Sequence, residues 1–153
     1  MAVFRDFVLA SLHHLVAFSL VAIIAIELIL VRPGMDGATI RRLGRIDLGF
    51  GIAAGLMILV GFTRVFFGLK GSAYYLANWV FWTKMGIFAL IGLLSIQPTL
   101  RIIAWGRLLD VDSHAVPMTQ DIMRVKRVIH IEAALVLLLP ILAAAMARGY
   151  GLP

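Results

Sequence analysis

The sequence predicts an all-α integral membrane protein, a four-helix bundle with short loops, and three observations lead there. Of its 153 residues 62% are hydrophobic and only 14% are charged, far from the roughly half-apolar composition of water-soluble domains. Mean hydropathy is +1.01. Four apolar stretches, at 7–31, 46–69, 77–104 and 122–147, each reach the ~20 residues that an α-helix needs to cross about 30 Å of hydrocarbon. Together they use nearly the whole chain, so residues 1–153 are expected to form one transmembrane domain.

The first helix follows a nearly uncharged N-terminus and its positive charges come after it, the reverse of a secretory signal peptide, so it is expected to stay in the mature protein. The connection after it, "RPGMDGATIRRLGR", opens with Pro33 and Gly34 and offers Asp36 and Thr39 as helix caps. The second helix carries Asp47, Gly51 and Gly55 at spacings of four, a small-residue stripe expected to pack closely against another helix or a second copy. The next connection holds Tyr74, Tyr75 and Trp79, residues that favour the membrane interface. The third connection is the longest and most polar, and Thr119 is the expected N-cap of the last helix.

Basic residues report orientation. The net charge of +6 comes from 14 Lys and Arg against 8 Asp and Glu. In a soluble protein that excess would suggest nucleic acid, but here no nucleic-acid partner is expected, because the cations sort by connection. Arg32, Arg41, Arg42 and Arg45 fill the first, and Arg101, Arg107, Arg124, Lys126 and Arg127 fill or border the third. The other side has Arg5, Lys70 and Arg148. By the positive-inside rule both termini face the outer side. There is no cysteine, which excludes disulfides, thiolate metal sites and cysteine nucleophiles. No P-loop, GxSxG, HExxH or dinucleotide glycine pattern occurs.

Ionisable side chains inside a bilayer cost several kcal/mol unless they face the bundle interior, pair or reach the interface, so each one carries a functional hypothesis. By depth, His13, His14, Arg64 and Lys84 form an outer group, and Glu27, Asp47, Gln97, Arg101, His130 and Glu132 an inner one. His13 and His130 are on the order of 15 Å apart along the bundle axis, too far to share a metal ion. His13 and His14 diverge by about 100°. Glu27 follows His13 by 14 positions, which returns it to within about 40° of the same face. Keeping Glu27 out of lipid therefore turns His13 inward, beside Ala10, Ala17 and Leu20. His13 either only hydrogen-bonds across helices or stands beside a flat cofactor, and spacing leaves both open. His14 reads as an interfacial or subunit-contact residue, and Arg64 as reaching the headgroups. His130 is expected on a packed face with Ala133, Ala134, Leu137 and Ile141, and Glu132 is expected to pair with Arg101 or Lys126.

The run "LHHLVAFSLVA" resembles the first-helix pattern of HemJ-type protoporphyrinogen oxidases, with His13, Ser19, Leu20 and Ala22 in the matching places. "WVFWTKMGIFALIGLL" is similar to that family's third helix, Lys84 taking its lysine position. "WGRLL" and "MRVKRVIHIEAALVLLLPILA" resemble its following basic segment and final helix, with Glu132 at the place of a family glutamate. Two positions depart: Trp82 stands where that pattern has histidine, and Ile131 where it has asparagine. Over its length the sequence is more similar to a bacterial four-helix inner-membrane family of unknown function, which implies a multi-pass protein of the cell membrane.

The first resemblance implies a haem b protein with a redox role. His13 would be the axial ligand of the haem iron, and Lys84 a second ligand or the partner of a propionate or substrate carboxylate. The residues are compatible: haem needs an imidazole, an apolar slot and cations for its propionates, and Lys84 and Arg64 can supply the last. Two rivals stand beside it. One is a small transporter or proton pathway on Glu27, Asp47, His130 and Glu132, disfavoured because these groups are expected to scatter over helix faces and no broken-helix pair accompanies them. The other is a structural or assembly subunit of a larger membrane complex, or a homo-oligomer, suggested by small size and by His14.

Overall fold

The computed structural model describes residues 1–152. Its long helices are α1 (Ala2–Leu30), α2 (Gly37–Phe67), α4 (Trp79–Val111) and α5 (Thr119–Ala147), with a short α3 (Gly71–Leu76) between α2 and α4. All four long helices have the length and composition to cross a bilayer. Successive long helices are antiparallel neighbours: α1 packs along α2 and α4 along α5, and the two hairpins close the bundle through α2 against α4 and α1 against α5.

Each long helix is apolar nearly all round, as expected where the solvent is lipid. What distinguishes its inner face is packing rather than polarity. On α2 the buried positions Ile40, Leu43, Asp47, Phe50, Ala53 and Met57, at spacings of three and four, hold one stripe toward the centre, and Val65 joins a smaller cluster with Tyr75 and Phe81. Leu20 and Ile24 of α1, Ile91 and Ile102 of α4, and Ile122 and Ile129 of α5 meet this stripe in one continuous core. Large apolar residues such as Phe7, Phe18, Leu59, Leu93 and Ile141 face outward.

α2 and α4 are longer than the apolar runs suggested. α2 begins at Gly37 because Asp36 caps it, its side chain accepting a hydrogen bond from the Thr39 N–H at 2.9 Å. Ile40 and Leu43 then extend the inner stripe through the basic segment, while Arg41, Arg42 and Arg45 stay exposed. α4 runs on to Val111 in the same way, through buried Trp105 and Leu109. Thr119 is the first residue of α5 rather than its cap. The capping position is Met118, which gives no side-chain bond.

Within the chain, Gly51 and Gly55 do not pack closely against another helix. Both are exposed, and a Cβ at either would meet nothing within 4 Å. A strict repeat of four advances about 40° per step on a helix of 3.6 residues per turn, so a stripe that starts inward at Asp47 has turned to the outer surface by Gly55.

The two ends of the bundle differ. At one end lie both termini and the α2–α4 connection: Asp6 accepts from the Leu69 N–H at 3.1 Å, and Trp79 N–H donates to the Gly151 carbonyl at 3.1 Å. Tyr74 of α3 donates to the Met146 carbonyl at 2.6 Å, and the Lys70 ammonium lies 4.3 Å from the centre of its ring. At the other end Arg41 pairs with Asp110 at 2.9 Å, joining the start of α2 to the end of α4.

Candidate functional site

Two polar groups interrupt the apolar core, one in each half of the bundle. Toward the termini end, His13 of α1, Arg64 of α2 and Lys84 of α4 are half-buried and within electrostatic reach of one another. Their chemistry is unbalanced. The ion pairs among the described residues are Arg41–Asp110 and Arg101–Asp121, so no acid answers Arg64 or Lys84. His13 Nδ1 and Arg64 Nε are shut off from solvent and have no hydrogen-bond partner. Gly61 of α2 faces the imidazole: a Cβ there would stand 3.7 Å from His13 Cε1, in ordinary contact.

His14 separates from this group as the helical angle requires. Its ring lies edge-on to that of His13, with centroids 6.3 Å apart, is exposed on the outer face, and donates through Nδ1 to the Ala10 carbonyl at 2.7 Å. Trp82 is occupied too, its indole N–H donating to the Leu76 carbonyl at 3.0 Å.

Below this level a cleft of about 260 Å³ opens between α2 and α4. Leu20 and Ile24 of α1 and Val136 of α5 line its depth. Ile58, Phe62, Ala89 and Gly92 stand exposed at its rim, so it faces the lipid. Leu20 lies two turns from His13 on the same face of α1, so the cleft and the cationic group are neighbours along the bundle.

The second polar group lies in the half nearer the basic end. Glu27 of α1, Asp47 of α2 and Glu132 of α5 are 3%, 7% and 2% exposed, and Glu27 is within electrostatic reach of both others. From α4, Thr99 donates its hydroxyl to Asp47 at 2.8 Å. Thr99 and Gln97 flank the buried Pro98, a residue that removes one N–H from the helix ladder at this level. Thr99 escaped the sequence reading because a lone hydroxyl in an apolar helix ordinarily bonds its own backbone, as Thr63 and Thr83 do. Only its place beside Gln97 and Pro98 could have signalled it.

Several expectations change here. His130 is exposed, with Ala134, Leu137 and Ile141 on the same outer face, and donates to the Lys126 carbonyl at 2.7 Å. The packed face of α5 is instead that of Ile122, Val125, Ile129, Glu132 and Val136. Glu132 pairs with neither Arg101 nor Lys126. Arg101 is turned outward and lies 3.7 Å from Asp121. The three membrane acids do not scatter: each sits on its helix's inner stripe, so all converge. Among the described residues, no group of three or more His, Asp or Glu side chains is arranged to hold a metal ion.

Four apolar helices around buried charge define a multi-pass membrane protein. Residues 5–151 match the family described as "Predicted membrane protein (DUF2214)", and the chain belongs to that family of unknown function. No curated protein and no solved structure matches it.

Proposed function

We propose that the protein binds haem b in the termini half of the bundle and serves a membrane redox function akin to that of the HemJ-type oxidases. The observation that carries this reading is the acid-free group of His13, Arg64 and Lys84, with a buried imidazole nitrogen left unpartnered above an apolar cleft. The donor set suits the group. His13 would hold the iron, while Lys84 and Arg64 would neutralise propionates or a substrate carboxylate, Lys84 having the alternative of serving as second ligand. Haem supplies one-electron chemistry, and the chain's own contribution is to orient the ring, exclude water and set the local charge. The cleft's opening between α2 and α4 would admit an apolar substrate from the bilayer. The excess of arginine at the opposite end supports an outer placement of the termini, and the protein would reside in a bacterial-type inner membrane. The outer faces carrying His14 and the Gly51–Gly55 stripe would serve a second copy or a larger complex.

Absorption of the purified protein from haem-replete cells tests the reading. A Soret band is expected, abolished by His13→Ala and kept by His130→Ala. Gly61→Leu, which crowds the imidazole, should shift or weaken the band without unfolding the bundle. A colourless, folded wild-type preparation overturns the proposal. Conversion of protoporphyrinogen to fluorescent protoporphyrin by the haem-loaded protein tests the oxidase assignment separately.

A further inference from the structure

The acids of the other half have no part in that site, and their surroundings are unusual. Glu27 Oε1 and Glu132 Oε1 are fully enclosed and accept no hydrogen bond, and Gln97 Oε1 of α4 is in the same state. Both glutamates are more than nine-tenths buried. The basic side chains of the packed helices nearest this level are those of Arg45, Arg101, Lys126, Arg127 and His130, and among the described residues none of them is paired with Glu27, Asp47 or Glu132. All of these except the half-buried Lys126 are exposed. Three unpaired carboxylates enclosed together would each carry a desolvation penalty of several kcal/mol, and mutual repulsion on top of it.

A groove of about 510 Å³ leads toward this cluster from the basic end, between α2 and α4. Its lining includes Gly44, three residues before Asp47, and Ile102, three residues after Thr99, so it ends about one helical turn from the Asp47–Thr99 hydrogen bond. Asp110, paired with Arg41, stands at its mouth. The carboxylates thus have a polar groove ending about one helical turn away on one side, and on the other the apolar cleft lined by Ile24, Phe50 and Val136. A coordinated metal ion would require donors close enough to share one ion, and among the described residues no three His, Asp or Glu side chains are so placed. A proton needs only one oxygen.

We propose that Glu27, Asp47 and Glu132 form a buried proton-binding site, loaded from the basic end through the groove and the Asp47–Thr99 pair. A hydronium ion in the groove gives its proton to a carboxylate oxygen, leaving water behind and a neutral carboxylic acid in the core. The Thr99 hydroxyl relays the proton by accepting one and donating its own. Glu27 and Glu132 hold the proton where nothing else neutralises them. This site does not depend on haem being bound.

Infrared spectroscopy of the full chain in lipid, in neutral buffer and with H₂O exchanged for D₂O, tests this. The folded wild-type protein should show a carboxylic-acid C=O band, separate from the amide bands, that shifts on deuteration. Glu27→Gln and Glu132→Gln, which keep the side-chain volume, should each remove part of that band. Thr99→Val and a groove-filling Gly106→Leu should keep the band but slow its deuteration at least ~10-fold, equivalent to about 1.4 kcal/mol of barrier. Absence of the band in folded wild-type protein overturns the proposal, whatever the variants do. So does a band that both Gln variants leave intact, or one that millimolar Na⁺, K⁺ or Mg²⁺ abolishes, which would make the ligand a metal ion.

Discussion

Asn78 shows what one residue can hold together. Its side chain is fully buried, its Oδ1 caps α4 by accepting from the N–H groups of Val80 and Phe81, and its Nδ2 donates to the Tyr150 carbonyl at 3.0 Å. Gly151, at φ +88°, turns the chain so closely over this cap that a side chain there would collide with Asn78 and Val80. Asn78→Ala leaves the Val80 N–H and the Tyr150 carbonyl without partners, while the Phe81 N–H keeps its bond to the Asn78 carbonyl at 3.1 Å, so a loss of ~1–2 kcal/mol is expected, read as a lower thermal midpoint in detergent. Asn78→Asp, which keeps the cap but loses the donor to Tyr150, should fall between the two. The cap is a local feature, spanning two and three positions, whereas the bond to Tyr150 was not legible locally, because that partner lies 72 positions away. The divergence of His13 from His14 was legible, since it follows from helical angle alone. The neighbours of His13 were not, because the angle within one helix says nothing of how its partners are rotated.

α2 illustrates how an element's ends and faces are decided. Hydropathy sees the apolar run from residue 46, whereas the helix starts where Asp36 satisfies its first turn. Hydrogen bonding from Thr39 holds the Asp36 carboxyl below the ordinary carboxylate range, with nearby Arg42 acting in the same direction. A group whose pKa is depressed by folding stabilises the fold above its unfolded value, and that contribution is lost as pH falls through its folded value. Protection of the first α2 amides, measured against their intrinsic exchange rates, should therefore be full at neutral pH and fall in acid, below the ordinary aspartate range. Asp36→Asn, which caps without titrating, should remove that pH dependence. The same element explains the misplaced glycine stripe. A repeat of four looks like a face in the sequence, but the buried face of α2 alternates three and four, and only Asp47 belongs to both.

At the scale of the whole molecule, span number and helical class were legible because lipid demands long apolar helices, and the basic connections do lie at one end. What the sequence withheld was convergence: three acids on three helices, each with an unknown rotation, become one cluster only when the bundle closes. The absence of native cysteine makes the orientation directly measurable. Ala73→Cys in α3 and Ser113→Cys between α4 and α5 lie at opposite ends, both exposed. An impermeant maleimide on intact cells should label the first and spare the second, and the reverse pattern would invert the topology. The cleft between α2 and α4 adds a practical consequence. Because its rim faces lipid, a ligand that uses it is drawn from a two-dimensional phase, and occupancy follows the ligand's mole fraction among lipids. Diluting the membranes with buffer would leave such binding unchanged, while diluting the ligand with inert lipid would weaken it.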